Sequence, residues 1–244
     1  RVSMPGMMDT ILNLGINDQI VEGLAAMMGD PRPAYDAYRR FLQIYSEVVL
    51  KVDGEAFEKV LAEHKQKAGV TQDHQLTAEQ LKSVVLDFKK VAKEAAGSEP
   101  PSDPWEQLMA AVEAVFRSWN TPRAIFYRDH NKIDHDMGTA VTIMAMVFGN
   151  LGATSGTGVL FTRDPSTGKA RVYGEFLTNA QGEDVVAGVR TPEPIARLND
   201  VLPECYGELM ELANNLESHY SDVQDVEFTI ENARLFLLQT RSAK

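Results

Sequence analysis

Apolar residues spaced three and four apart dominate the first half of the chain, and a period of two dominates its end. The strongest helical signal follows Pro104. Asp103 can cap that helix, Pro104 suits its first turn, and Glu106 completes a D-x-x-E box. Trp105, Leu108, Met109, Val112, Val115, Phe116 and Trp119 follow as one apolar stripe, the kind that faces a core. A second helix starts after Thr77, with Gln80 three residues on, and its stripe is Leu81, Val84, Val85, Phe88, Val91, Ala92 and Ala95. Two further helical stretches are expected near 33–50 and 55–68. Gly97 to Pro104 (GSEPPSDP) reads as a breaker-rich loop.

The pattern changes near Gly138. Thr139–Phe148, Gly158–Arg163 and Arg171–Thr178 are rich in β-branched and apolar residues and are expected to be strands, with Asp164–Gly168 a turn between the last two. A helix is expected over 203–219, with Cys205, Leu209, Leu212, Ala213 and Leu216 mostly inward. Asp225–Glu231 and Arg234–Thr240 read as a hairpin around Asn232-Ala233. The fold class is therefore α+β. A mainly helical part covers 1–136, and 137–244 holds a mixed or antiparallel sheet with helices.

The 244 residues suffice for one large domain or two small ones. The composition, 44% hydrophobic and 24% charged, excludes disorder along the whole length. A net charge of −11 argues against nucleic acid as a partner, since binders show a basic excess. The single cysteine, Cys205, excludes an internal disulfide framework and a cysteine-based zinc site. No stretch approaches the ~18 apolar residues of a membrane span, so no membrane partner is expected. No signal peptide is present either, and a cytoplasmic protein is expected, or an organellar one if the source is eukaryotic. The chain opens at Arg1 inside a motif, and its natural start is expected to lie upstream.

The helical part holds no compact catalytic cluster and reads as a packing module. The pairs Arg39-Arg40 and Arg123/Arg128 are potential phosphate contacts with surface charge as the default, and His130 and His135 make a poor metal site. Three later segments could carry chemistry. Gly149–Gly158 has four glycines and three hydroxyl residues in ten positions, followed by a strand, which suits phosphate or a flexible turn but fits no P-loop. In Asn179–Gly188, the adjacent carboxylates Glu183 and Asp184 could meet a metal or a ribose hydroxyl, or lie in a solvated loop. In the hairpin, a connection with an odd number of residues brings Glu227, Thr229, Gln239 and Arg241 onto one face, and a two-residue loop separates them. On one face, the carboxylate and amide oxygens suit Mg²⁺ and the guanidinium suits phosphate; the plain alternative is a surface salt bridge.

SMPGMMDTILNLG, SGTGVLFTRDPSTG, YGEFLTNAQGEDVVAGVRTPEPI and VEFTIENARLFLLQTR, in that order, resemble the pyruvate, phosphate dikinase family over essentially the whole chain. NAQGEDVVAGVRTP discriminates most, because phosphoenolpyruvate synthases and water dikinases are expected to differ there. The resemblance implies an ATP-grasp domain that binds Mg²⁺ and ATP. It passes the β,γ part of ATP to a histidine on a separate domain, after which phosphate accepts the γ group to give pyrophosphate. A third domain uses the phosphohistidine to interconvert pyruvate and phosphoenolpyruvate.

By resemblance, Glu227 and Gln239 are the Mg²⁺-ATP ligands and Arg241 is a phosphate-binding, catalytic arginine. Glu183 and Asp184 match acidic nucleotide-site residues, and Thr157 and Gly158 match a small-residue loop over the phosphates. Gly6 falls in another such loop, and Arg39 or Arg40 matches a phosphate-facing arginine. The family's phosphate-binding lysine, its phosphohistidine motif and its pyruvate-binding barrel are not matched. The resemblance therefore implies partner domains in a longer, dimeric parent, and a monomeric chain that by itself binds Mg-ATP weakly and turns nothing over. The competing expectations are a phosphoenolpyruvate synthase or water-dikinase part, or a non-catalytic helical interaction module.

Overall fold

A computed structural model describes residues 2–186 and 190–243. It divides into two compact units, Arg1–Met146 and Val147–Lys244.

The first unit is helical. Its elements are α1 (Ile20–Met28), α2 (Pro31–Val48), α3 (Gly54–Ala68), α4 (Ala78–Ala96), α5 (Pro104–Ser118) and α6 (Pro122–Asn131). Side-chain caps start most of them. Asp30 accepts from Arg32 N, Asp53 from Glu55 N, and Thr77 and Gln80 form the expected capping box. Glycines in the left-handed region end three: Gly29 at φ 68°, Gly69 at 69° and Gly97 at 80°. α2 packs against α1 and α4, and α3 packs against α4. Phe41, Leu42, Tyr45, Phe57, Leu61, Leu81, Val84 and Phe88 fill the interior, each contributing roughly 1.5–3 kcal/mol through burial. The α4 stripe is inward as expected, except that Ala95 is exposed.

α5 departs from expectation. Its inward residues are Gln107, Ala111, Ala114 and Ser118, whereas Trp105, Met109 and Phe116 of the apolar stripe are exposed. The reason lies in what the helix packs on. An irregular segment around residues 9–16 lies beneath it, and buried backbone groups need polar partners. Gln107 Oε1 accepts from Gly15 N at 2.8 Å, while its Nε2 donates to Ile16 O at 3.1 Å and Pro101 O at 2.7 Å. Ser118 Oγ accepts from Asp9 N at 3.1 Å. The amide and the hydroxyl turn inward to do this, and Trp105, Met109 and Phe116 turn out with them.

A second correction concerns Thr139–Phe148. It is not a strand: no ladder bonds hold it among the described residues, and Ile143, Met144 and Met146 are exposed. β-branched composition alone does not make a strand without a neighbour to pair with.

The second unit is one antiparallel sheet of order β3-β2-β1-β4-β5. Its strands are β1 (Gly156–Phe161), β2 (Tyr173–Thr178), β3 (Glu193–Pro194), β4 (Gln224–Glu231) and β5 (Arg234–Ser242). The expected turn between β1 and β2 is present, with Asp164 accepting from Ser166 N at 2.9 Å and Thr167 N at 3.1 Å. Short helices α7 (Gly182–Val186) and α8 (Leu198–Val201) precede α9 (Pro203–Tyr220). Leu160, Phe176, Val226, Phe228, Ile230 and Leu235 from the sheet pack with Ile195, Leu198, Cys205, Leu209 and Ala213 as one core. That core covers one sheet face; the other carries Thr157, Asp225, Glu227 and Thr229 together with the apolar Val159, Phe161, Leu177 and Phe236. The α+β class holds.

Candidate functional site

The site is built on the β4–β5 hairpin at one edge of the sheet. Asn232 and Ala233 form a two-residue turn with φ 49° and 60°, both left-handed, as a type I′ turn demands. Such a turn alone would pair Glu227 with Leu238 and send Gln239 to the opposite face. A β-bulge corrects this. Phe228 pairs with Leu237, but Glu227 pairs with Gln239, so Leu238 is the extra residue. The requirement for an odd connection is therefore wrong in place and right in consequence: the inserted residue sits in the strand, not in the turn.

Past the bulge, Asp225 stands opposite Arg241 as Glu227 does opposite Gln239. Arg241 Nε lies 2.7 Å from Asp225 Oδ2, and its Nη2 lies 3.9 Å from Glu227 Oε1. On β1, Thr157 pairs with Thr229 and Val159 with Glu227. Alternation then puts Thr157, Thr229, Glu227, Gln239, Asp225 and Arg241 on the face away from the core. Asp225 is the member that motif reasoning passed over. Its signal was available, because it shares the period of Glu227 and Thr229.

Glu227 and Gln239 offer two oxygen ligands side by side, with Glu227 partly open to solvent. That suits Mg²⁺, which keeps waters and takes phosphate oxygens for its remaining positions. No group of three or more His, Cys, Asp and Glu side chains could enclose a metal among the described residues. Arg241 Nε donates to Asp225 Oδ2 at 2.7 Å, and a guanidinium so anchored can meet a phosphate with its remaining donors.

Thr157 and Gly158 do not form a loop. They lie in β1, which has neighbours on both sides, so their backbone groups belong to the ladder and cannot cradle a phosphate. The side chain of Thr157 still reaches the polar face. Gly158 serves the core face instead: a Cβ there would lie 2.5 Å from Glu175 O and 2.6 Å from the Phe228 ring. The preceding glycine-rich stretch is a folded turn tied to the hairpin, with Ala233 N donating to Thr154 O at 2.7 Å and Asn232 N to Ser155 Oγ at 2.9 Å.

α7 packs against β1, and its first residue, Gly182, is close to Thr157. Asp184 accepts from Gln181 N at 2.9 Å and so helps to fix the start of this helix. Glu183 lies in α7, but its side chain is outside the described part of the structure, as are Ala187 and Gly188.

The remaining expected residues belong to the helical unit. Gly6, at φ 69°, is the third residue of a turn closed by Met7 N donating to Met4 O at 3.1 Å. Arg39 is buried and donates to Asp36 Oδ1 and Asp73 Oδ2, both at 2.8 Å. Burial works to raise the Asp36 carboxyl, but Arg39, with Arg40 and Arg32, overcomes it and holds the group at about 2. Arg128 is buried too, its guanidinium 3.9 Å from the Trp119 ring centroid and its Nε donating to His135 Nδ1 at 2.9 Å. Arg123 pairs with Asp9.

Comparison with known proteins covers both units. The family model described as pyruvate phosphate dikinase, AMP/ATP-binding domain, matches residues 1–203 and 197–244. The pyruvate, phosphate dikinase of Clostridium symbiosum is 59% identical over 245 residues, spanning 100% of this chain and 28% of that protein. The chloroplastic enzyme of Mesembryanthemum crystallinum is 56% identical over 243 residues, 100% of this chain and 26% of its own. Chloroplastic pyruvate, phosphate dikinase 1 of Arabidopsis thaliana is also 56% identical, with 25% of its length covered. The chain thus spans about a quarter of the length of these curated relatives. None of the three is named a phosphoenolpyruvate synthase or water dikinase, and the family match runs through the sheet as well as the helices, which a helical interaction module would not require. This chain belongs to the pyruvate phosphate dikinase AMP/ATP-binding domain family.

Proposed function

We propose that the chain is the nucleotide-binding part of a dikinase. It uses Mg-ATP and phosphate to phosphorylate a histidine on a separate domain of a longer protein, in the interconversion of pyruvate and phosphoenolpyruvate. The observation that carries this reading is the cross-strand pair Glu227–Gln239, with Arg241 two residues further along β5. Glu227 and Gln239 would hold Mg²⁺, which supplies charge neutralisation on the phosphates when bound. Arg241, aligned by Asp225, would meet a phosphate oxygen and stabilise charge developing during transfer.

Thr157, Gly158, Asp184 and Glu183 belong to the same nucleotide site in this reading, Gly158 by keeping Phe228 and the strand in place. Gly6 and the arginines 39 and 40 are assigned to it by resemblance alone. The guanidinium of Arg39 is engaged by two carboxylates, so its contribution would be to hold the helical unit. Residues 1–136 and 137–244 would be two subdomains of an ATP-grasp clamp. The partners would be ATP, phosphate, and the phosphohistidine and pyruvate-binding domains of a dimeric parent. No described helix is long and apolar enough to cross a membrane.

The test is calorimetric or NMR titration of the chain with ATP in the presence and absence of Mg²⁺, repeated with Glu227→Gln. Weak Mg²⁺-dependent binding that the substitution weakens by about tenfold or more is expected. Binding indifferent to both would exclude the pair as the metal site.

A further inference from the structure

The helical unit holds a cavity of about 480 Å³, within the size range of small-molecule sites. It lies between the segment 16–19, α2, α4 and the loop 99–103 that leads into α5. None of the residues assigned above to the nucleotide lines it. Side-chain bonds tie its two walls together. Gln107 Nε2 donates to Ile16 O at 3.1 Å on one wall and to Pro101 O at 2.7 Å on the other, and Asn17 Nδ2 donates across to Ser102 O at 2.8 Å. Pro100, Pro101 and Pro104 stiffen the second wall. A site whose width is fixed in advance spends less on ordering when a ligand arrives.

The cavity is apolar within and acidic at its opening. Ile16, Phe41 and Leu42 are buried and form its floor. Asp18, Glu99 and Asp103 are exposed around it, three carboxylates against the single ammonium of Lys89. Two of them keep free oxygens. Asp18 takes both the Tyr38 hydroxyl and Lys89 Nζ on Oδ1, while its Oδ2 takes no donor among the described residues. Glu99 has Lys93 Nζ at 4.0 Å, beyond hydrogen-bond reach. The side chains of Asp18 and Glu99 are 76% and 43% exposed, so a ligand can reach both. Burial, then Asp18 and then Glu99 push the Tyr38 hydroxyl above the ordinary phenol range, so both carboxylates act on the same corner of the cavity. Among the described residues no three such side chains converge to hold a metal ion, which leaves an extended organic cation as the better match.

We propose that this cavity binds a small organic cation, a protonated primary amine whose ammonium meets Asp18 and Glu99 and whose aliphatic stem lies over Phe41, Leu42 and the prolines. The stem supplies apolar burial and the head supplies charge-assisted hydrogen bonds. The inference is independent of the nucleotide reading.

The experiment titrates the chain with pentylamine, pentanol and pentanoate, which share a stem and differ in the head, and follows amide shifts and heat. Saturable binding of pentylamine at roughly millimolar concentration is expected, the scale that six heavy atoms can supply. Its shifts should centre on Asp18, Tyr38 and residues 99–102. Pentanol and pentanoate should bind about tenfold more weakly or not at all, since neither brings a cation. Glu99→Gln, a change at an exposed loop position without a hydrogen bond, is expected to weaken pentylamine about threefold or more, and added salt should weaken it further. The proposal is overturned if pentanol binds as well as pentylamine, which would make the site merely apolar. Equal binding of pentanoate would make Lys89 the anchor and overturn it too. It also fails if no saturable shifts appear at these residues in the wild type, or if Glu99→Gln leaves the pentylamine affinity unchanged.

Discussion

Glu227 and Gln239 stand directly opposite each other across β4 and β5 because Leu238 is inserted between Leu237 and Gln239 without a partner of its own. One unpaired residue therefore decides whether the carboxylate and the carboxamide meet. The hairpin turn carries a related tension. Asn232 tolerates its left-handed conformation, but Ala233, at φ 60°, does not do so without strain. Both residues are held by backbone bonds that a glycine would keep. Ala233→Gly is expected to stabilise the chain by roughly 0.5–1 kcal/mol, the relief of left-handed strain less the extra freedom of glycine in the unfolded chain. A rise of about 1–4 °C in the melting temperature would report it.

The α5 helix gives a second prediction. Gln107 makes three hydrogen bonds to backbone groups, whereas Trp105 projects into solvent. Gln107→Leu is expected to cost at least about 2 kcal/mol, because it strands buried backbone groups. Trp105→Gln is expected to change stability by no more than about 0.5 kcal/mol. Denaturant midpoints for the two variants check this, and the reverse order would mean that the apolar stripe faces inward after all.

These two elements also mark how far the sequence could be read. The caps at Asp103 and at Thr77 with Gln80, the α4 stripe, α9 and the hairpin turn were legible, because each depends on neighbours a few residues apart. The face of α5 was not, since it is set by backbone groups of residues 15, 16 and 101 that Gln107 must satisfy. The bulge at Leu238 was not either. Nothing in FLLQ distinguishes a strand residue with a partner from one without. Thr139–Phe148 has the composition of a strand but no described neighbour, and Thr157 and Gly158 read as a loop because glycines precede them.

The buried charge network of the helical unit should show in acid. The folded Asp36 carboxyl is held at about 2, below its ordinary value of 3.8. A depressed folded value means that its contribution is complete above about pH 4 and is lost as the pH falls toward 2. That contribution is about 2 kcal/mol. Arg39→Met removes the main compensating charge from a buried carboxylate and is expected to destabilise the chain by roughly 3–5 kcal/mol at neutral pH. It should also shrink the loss between pH 4 and 2. Chemical denaturation as a function of pH reads both, and an unchanged acid limb in Arg39→Met would contradict the role given to this arginine.

Gly158 offers a test that separates packing from ligand contact. Its missing side chain faces Phe228, Phe176 and Glu175 O, not the polar face. Gly158→Ala is expected to destabilise the chain by about 1–3 kcal/mol through overpacking. Thermal unfolding measures the loss. A variant as stable as the wild type would show that the strand has room, and that the glycine is needed for some other reason.

The central claim is that the Glu227–Gln239 pair holds Mg²⁺ with ATP. Titration of the chain with ATP, monitored by amide shifts along β4 and β5, tests it most directly. With Mg²⁺ present, shifts are expected to centre on Glu227, Gln239 and Arg241. Removing Mg²⁺, or changing Glu227 to Gln or Gln239 to Leu, should weaken binding by about tenfold or more, the scale of a lost charge-assisted contact. Shifts elsewhere in the chain, or an affinity that neither Mg²⁺ nor these substitutions alter, would contradict the account.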